Sequence, residues 1–224
     1  KDRKELQKIK KACIVTDYVF KKICKNFNFK TEEEIKNFIE IEFSKKGCEL
    51  AFPSIVASAK ATSQPHYVGS NKIKSGFLMI DFGAKYKKYC ADMTRMLYIG
   101  KPKKQELKNY ALVLETVKIC EKQAAIVKKW SKLYSLAIKK LDKKAKYFTH
   151  GLGHGLGLDI HEFPSLSAED KNLVSDNVPF TIEPGIYFEG RYGIRIEDTV
   201  ILVNKKLVWL TKSKKDLVVI DRKY

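Results

Sequence analysis

The chain has 224 residues, 44% of them apolar and 31% charged, enough to build one large domain with a real core, which excludes disordered and fibrous classes. Lys plus Arg number 44 against 26 Asp plus Glu, a formal charge of +18, and such a balance first suggests nucleic acid or an anionic membrane. Only five of the bases are Arg (3, 95, 191, 195 and 222), leaving 39 Lys, the composition of a solvated surface rather than of base readout. Residues 151 to 200 hold three bases and nine acids, a net of −6 against +24 elsewhere, so the basic surface and the most motif-rich segment are different places. Nucleic acid is therefore disfavoured as a partner. Five scattered cysteines, an odd number with no CxxC pair, point to reduced thiols and a cytoplasmic protein. No apolar run approaches the roughly 18 to 20 residues of a membrane span, and the Lys-rich start lacks the apolar stretch of a signal peptide.

In chain order, the near-helical spacing of Leu6, Ile9, Cys13, Val15, Val19, Ile23 and Cys24 predicts a helix over 4–26, and Thr31 with Glu34 resembles a capping box opening a second through about Phe43, ended by Gly47. Phe52 to Ala59, Phe77 to Phe82 and Tyr86 to Ile99 are β-branched or aromatic runs punctuated by glycine and read as strands. The pattern recurs: helices over 104–129 and 131–144, then strands over 180–188, 194–203, 207–210 and 216–220. Two helix-helix-strands units imply an α+β fold of two similar halves, about 1–100 and 101–224, with a site between them.

Three of the four histidines fall in His150-Gly-Leu-Gly-His154-Gly-Leu-Gly-Leu-Asp-Ile-His161-Glu, where glycines at 151, 153, 155 and 157 allow close approach to a ligand and irregular φ/ψ. This segment satisfies neither GxGxxG nor HExxH, and Asp81-Phe82-Gly83 lacks the other kinase motifs. The acids say more. If a hairpin centres on Gly190, Glu183 lies opposite Glu197, where directly opposed like charges are destabilising unless a cation binds. The same arithmetic places Asp81 opposite Asp92 about a turn between Tyr86 and Lys87. Four carboxylates with a histidine make an oxygen-rich site suited to Mn²⁺, Co²⁺, Fe²⁺ or Zn²⁺. Bridging carboxylates can hold two such ions, whose shared water supplies hydroxide at neutral pH, so the implied chemistry is metal-assisted hydrolysis.

Met79-Ile-Asp81-Phe-Gly, Cys90-Ala-Asp92-Met-Thr-Arg95, Gly153-His154-Gly155, Thr181-Ile-Glu183-Pro-Gly and Arg195-Ile-Glu197-Asp-Thr resemble the pita-bread dinuclear metallopeptidases: the methionine aminopeptidases, Xaa-Pro aminopeptidases and Xaa-Pro dipeptidases. The resemblance runs to about Thr211. It implies Asp81, Asp92, His154, Glu183 and Glu197 as ligands of two divalent ions, Mn²⁺ foremost, with Asp92 and Glu197 bridging and Glu183 also the general base. His66 and His161 match the histidines that contact the substrate and stabilise the tetrahedral intermediate. His150 and Arg195 match residues that support the ligands and shape the proline pocket. Gly-Leu-Asp-Ile-His161-Glu-Phe-Pro, Glu183-Pro-Gly-Ile-Tyr and Arg195-Ile-Glu-Asp-Thr are similar to the Xaa-Pro branch. Ser165 stands where many dipeptidases carry an Arg that pairs with the dipeptide carboxylate, which favours an aminopeptidase acting on longer peptides. Dipeptidase, methionine aminopeptidase and a noncatalytic basic binding module follow in that order, and related C–N chemistry on a creatine-like substrate is also open. A single catalytic domain without the separate N-terminal domain of this branch is expected, and a homodimer is correspondingly less firmly implied.

Overall fold

The computed structural model describes residues 1–221, and Arg222 lies outside them. Helices α1 (Arg3–Lys25) and α2 (Glu32–Ser44) are followed by strands β1 (Glu49–Leu50), β2 (Ile55–Ser58), β3 (Gly76–Phe82), β4 (Ala84–Tyr86), β5 (Tyr89–Cys90) and β6 (Met93–Ile99). Helices α3 (Lys104–Ala124) and α4 (Trp130–Leu141) then precede β7 (His154–Gly155), β8 (Glu162–Ser165), β9 (Pro179–Ile182), β10 (Gly185–Phe188), β11 (Tyr192–Arg195), β12 (Asp198–Val203), β13 (Lys206–Trp209) and β14 (Val218–Ile220). The expected α+β order of helix, helix and strands thus occurs twice.

The starts of α1 and α2 are set by side-chain caps. Asp2 accepts from the Glu5 amide while Glu5 reaches back to Asp2, closing a capping box on α1. Thr31 accepts from the Glu34 amide, but Glu34 reaches the Lys30 amide rather than that of Thr31. Gly47, at φ +66°, turns the chain after α2.

Two sheets carry the core, ordered β14-β6-β3-β2 and β13-β12-β9-β7-β8 and antiparallel except for β14 on β6. Strand β3 is divided between two apolar clusters by the two-residue period of a strand. Leu78, Ile80 and Phe82 pack with Ile9, Val19, Ile35 and Phe43 of α1 and α2, whereas Phe77 and Met79 pack with Val113, Val117, Trp130 and Leu133 of α3 and α4. Asp81 continues the second set. Being covered on both faces, β3 and β6 carry apolar residues on both, interrupted at Asp81 and at Thr94-Arg95.

The strand edges differ from expectation where the site lies. The run 86–99 holds the end of β4, then β5 and β6, interrupted by a turn at Lys87-Lys88 and again at Ala91-Asp92, and the runs 180–188 and 194–203 break at Glu183-Pro184 and at Ile196-Glu197. Pro184 has no amide hydrogen to give a ladder, which accounts for the first of the latter two breaks. The short strands β1, β4, β7 and β8 carry no run long enough to be read from sequence.

Candidate metal centre

Register decides which acids meet. On both sides of the break, pairing keeps Gly190 as its centre: Phe188 faces Tyr192, Gly185 faces Arg195, and beyond it Ile182 faces Asp198. Glu183 and Glu197 therefore occupy matching positions, as the hairpin arithmetic requires. Neither pairs with the other's backbone; the Glu183 amide donates to Leu152 and the Glu197 amide to Thr94. The arithmetic for Asp81 and Asp92 needs correction. Asp81 faces Thr94, and the turn centres between Lys87 and Lys88, at φ 46° and 72°, with Tyr86 facing Tyr89. Such a turn ordinarily takes Asn-Gly, so its centre is not visible in a Lys-Lys pair. The error is two residues, which leaves both acids on one face; a one-residue slip would have separated them.

Two glycines allow the chains to close around the site. A Cβ on Gly83 would lie 1.7 Å from the Ala91 carbonyl oxygen, and one on Gly153 would lie 2.0 Å from that of Thr181. The glycines at 153, 155 and 157 thus admit the protein's own neighbouring segments, whereas Gly151, which lines the cavity, has only ordinary contacts, and none of the four has positive φ.

All nine residues singled out from sequence line one cavity of about 280 Å³: His66, Asp81, Asp92, His150, His154, His161, Glu183, Arg195 and Glu197, joined by Phe52, Ile55, Ile160 and Ser165. Asp92, His154 and Glu197 form its tightest group, each offering an atom within 4.8 Å of the others. Glu183 borders it, with Oε1 3.4 Å from His154 Nε2, and Asp92 Oδ2 is 3.5 Å from the same nitrogen. Asp81 lies outside that group, and Arg195 donates to its Oδ2 at 2.5 Å. Arg195 also donates to Thr94 Oγ1, the Tyr187 hydroxyl and the Pro65 carbonyl. His66 and His161 are exposed at the mouth, the His161 ring 4.3 Å from that of His154.

The cluster is short of positive charge. Burial, then the neighbouring Asp81 and Glu183, raise Asp92 to about 7 despite its bond to His154. Burial and the surrounding carboxylates push Glu197 well above the ordinary range, and burial raises Glu183. Burial pulls His154 down, but the bond to Asp92 and the charges of Asp92 and Glu183 prevail and lift it to about 9. Burial and the Arg195 charge lower His150 to about 3, so it is neutral. The Oδ1 atoms of Asp81 and Asp92 are buried without a hydrogen-bond partner, a costly arrangement for carboxylates. Four carboxylates and an imidazole around two orphaned oxygens fit divalent cations.

Three threonines escaped the sequence reading. Thr94 donates to Glu197 Oε2 at 2.6 Å, Thr181 donates to Glu183 Oε1 at 3.3 Å, and Thr199 donates to the Asp92 carbonyl at 2.7 Å. Thr94 follows Asp92 by two residues, Thr181 precedes Glu183 by two and Thr199 follows Glu197 by two, the same-face spacing of a strand that could have revealed them. Arg95, 1% exposed, was also missed; it holds Asp198 at 2.5 Å, bonds the Glu197 carbonyl and reaches those of Thr94, Ser213 and Lys214.

The profile of metallopeptidase family M24 matches residues 7–204, and the chain belongs to that family, which implies divalent metal ions. The chain is 37% identical over 224 residues to an Xaa-Pro dipeptidase of Pyrococcus furiosus, covering 97% of this chain and 64% of the relative, and 36% identical over 217 residues to a putative Xaa-Pro aminopeptidase of Mycoplasma genitalium, covering 93% and 61%. Among solved structures it superposes on an X-Pro aminopeptidase of Thermotoga maritima with TM-score 0.93 at 35% identity (98% of this chain, 64% of that one), and on a prolidase of Pyrococcus horikoshii with TM-score 0.93 at 32% identity (97% and 65%). The fold is the α+β pita-bread fold of this family. The chain spans less than two thirds of the length of these relatives.

Proposed function

We propose that the chain is the catalytic domain of a dinuclear-metal aminopeptidase that hydrolyses the bond between a first residue and a proline in second position. The observation that carries this reading is the convergence of Asp81, Asp92, His154, Glu183 and Glu197 on one cavity in which two buried aspartate oxygens lack partners. These five side chains would hold two divalent ions, Mn²⁺ before Co²⁺, Zn²⁺ or Fe²⁺, with Asp92 and Glu197 shared between them. Bound there, the ions would supply Lewis-acid polarisation of the scissile carbonyl and acidification of a water. Glu183 is the general base: its Oε1 is engaged by Thr181, and burial raises its proton affinity, which suits Oε2 to hold a proton and pass it to the leaving nitrogen. His66 and His161 orient the scissile amide and donate to the oxygen that gains charge. Neutral His150 and Arg195 fix the floor of the site, while Phe52, Ile55 and Ile160 exclude water and meet the proline ring.

The cavity lining also bears on peptide length. Among the described residues it includes one guanidinium and no lysine, and that guanidinium, Arg195, is committed to Asp81, Thr94, Tyr187 and Pro65. A dipeptide's terminal carboxylate meets no free cation beside Ser165, which supports cleavage of longer peptides. Unpaired thiols at all five cysteines fit a cytoplasmic setting, and no helix among the described residues is long and apolar enough to cross a membrane.

The test is hydrolysis of Xaa-Pro and Xaa-Pro-Xaa peptides side by side with added Mn²⁺, using Asp92→Ala as control. Turnover of the tripeptide by the parent alone is expected. Equal rates in parent and variant would refute the reading, and exclusive dipeptide cleavage would overturn its length preference.

A further inference from the structure

The first turn of α2 holds three consecutive glutamates, Glu32, Glu33 and Glu34. Acids there ordinarily sit in solvent and complement the helix dipole. Glu33 and Glu34 do so, whereas Glu32 is 0% exposed. Among the described residues it forms no ion pair. Its carboxylate is instead filled by three donors: the Ser58 amide on Oε1 at 2.7 Å, and the Asn71 amide at 2.7 Å and the Tyr67 hydroxyl at 3.1 Å on Oε2. The Tyr67 hydroxyl in turn accepts from the Asn71 side-chain amide, so the polarity of the chain is fixed: Asn71 to Tyr67 to Glu32. The Glu32 amide donates to the Asn71 carbonyl, and Ile73 donates to Lys30, closing the same junction through the backbone.

These donors are not scattered. Ser58 and Asn71 are the two ends of the segment that carries His66, and Tyr67 is the residue next to it. From the other side the Pro65 carbonyl accepts from Arg195 at 3.2 Å, and Thr62 accepts from the Gly193 amide at 2.8 Å. The backbone on either side of His66 is thereby pinned, Pro65 to the guanidinium that holds Asp81 and Tyr67 to Glu32, while the imidazole itself is exposed and lines the cavity. A segment with exposed tips would ordinarily be mobile; this one is tied at both ends and in the middle to one buried carboxylate.

We infer that Glu32 is a positioning residue that acts through Tyr67 to set the place of His66 in the cavity. The inference rests on the reading of His66 as a substrate-contacting residue. Glutamine at position 32 would present an amide nitrogen to at least one of the three donors, leaving it buried and unpaired. Phenylalanine at position 67 keeps the ring in the core and removes only the link.

The experiment compares the parent, Tyr67→Phe, Glu32→Gln, His66→Ala and the Tyr67→Phe/His66→Ala double variant, each loaded with Mn²⁺, on an Xaa-Pro-Xaa peptide. Misplacement of a contacting group by a fraction of an ångström costs on the order of tenfold in rate. Tyr67→Phe is expected to lower kcat/KM about tenfold, chiefly in kcat, with Mn²⁺ affinity within about twofold of the parent, and to have less than about a twofold effect once His66 is Ala. A tenfold loss that persists in the His66→Ala background, or no loss in either background, overturns the inference. Amide exchange across residues 58–71 gives a readout independent of turnover, and it also serves if Glu32→Gln is too unstable for kinetics. In Tyr67→Phe the hydrogen-bonded amides of Gln64 and Asn71 on either side of His66 should exchange at least about tenfold faster while those in the middle of α2 do not, and unchanged exchange overturns the clamp. If the parent cleaves no Xaa-Pro peptide, the proposed function falls and the exchange measurement still decides whether Glu32 and Tyr67 hold this segment.

Discussion

Replacing Glu197 by Gln should make the metal-free protein more stable and the metal-loaded protein less so. Asp92 and Glu197 offer atoms within 4.8 Å of one another, and at an effective dielectric of about 20 two unit negative charges at that separation repel by roughly 3 to 4 kcal/mol. A carboxyl can escape that repulsion by taking a proton, which at pH 7 costs roughly 3 to 4 kcal/mol for a group of ordinary pKa. The two bounds agree. Gln is isosteric, and its oxygen can still accept from Thr94, which now bonds Oε2 at 2.6 Å. Only the charge is lost, and a net gain of about 1 to 3 kcal/mol is expected, or about 2 to 4 °C in Tm for each kcal/mol in a domain of this size. The assay is urea and thermal unfolding of chelator-treated parent and variant, repeated with Mn²⁺. A ligand at a hundred times its Kd stabilises by about 2.7 kcal/mol, so the parent should gain on metal addition and the variant should not, reversing their order. A variant less stable than the parent in chelator would refute the electrostatic reasoning. An undiminished Mn²⁺ gain would refute Glu197 as a ligand.

Arg95→Leu breaks a fully buried pair with Asp198, whose other partners Lys215 and Thr211 remain; a loss of about 3 kcal/mol is expected by urea unfolding, and a loss under about 1 kcal/mol would show the network to be redundant. Gly153→Ala forces a Cβ to within 2.0 Å of the Thr181 carbonyl oxygen, so the backbone beside His154 must move; calorimetric Mn²⁺ affinity should fall at least about tenfold, and parental affinity would refute the close-approach argument. The hydrogen bonds from Lys22 and Lys45 hold Glu42 below the ordinary carboxylate range. A depressed carboxylate contributes stability that is present above its unfolded pKa of 4.5 and is lost as pH falls through its lower folded value. The stability gap between the parent and Glu42→Gln should therefore narrow as pH falls from 6 to about 3, and a gap independent of pH would contradict the ion pairing.

Local signals read well from sequence. The helices follow from apolar periodicity and caps, and the fold class from the repeated order of elements, because both depend on neighbours within a few residues. The Glu183 and Glu197 positions were legible because Gly190 marks the centre of their hairpin, whereas the Asp81 and Asp92 register was not, because a Lys-Lys turn carries no glycine or asparagine to mark it. The candidate residues themselves were legible as motifs, and each lies on the cavity.

Sequence by itself therefore picked out the acids and histidines that line the cavity, since carboxylates, imidazoles and their strand spacing are properties of the chain. Tertiary structure alone decided how they are held. Arg195 meets Asp81 and Thr94 meets Glu197 from more than a hundred residues away, and Glu32 was indistinguishable from its two exposed neighbours until burial separated it from them. The pairing of such distant residues has no local signature, even where a residue's spacing marks its face, because a buried hydrogen bond needs only geometry at the point of contact, and that geometry is set by the packing of the whole fold.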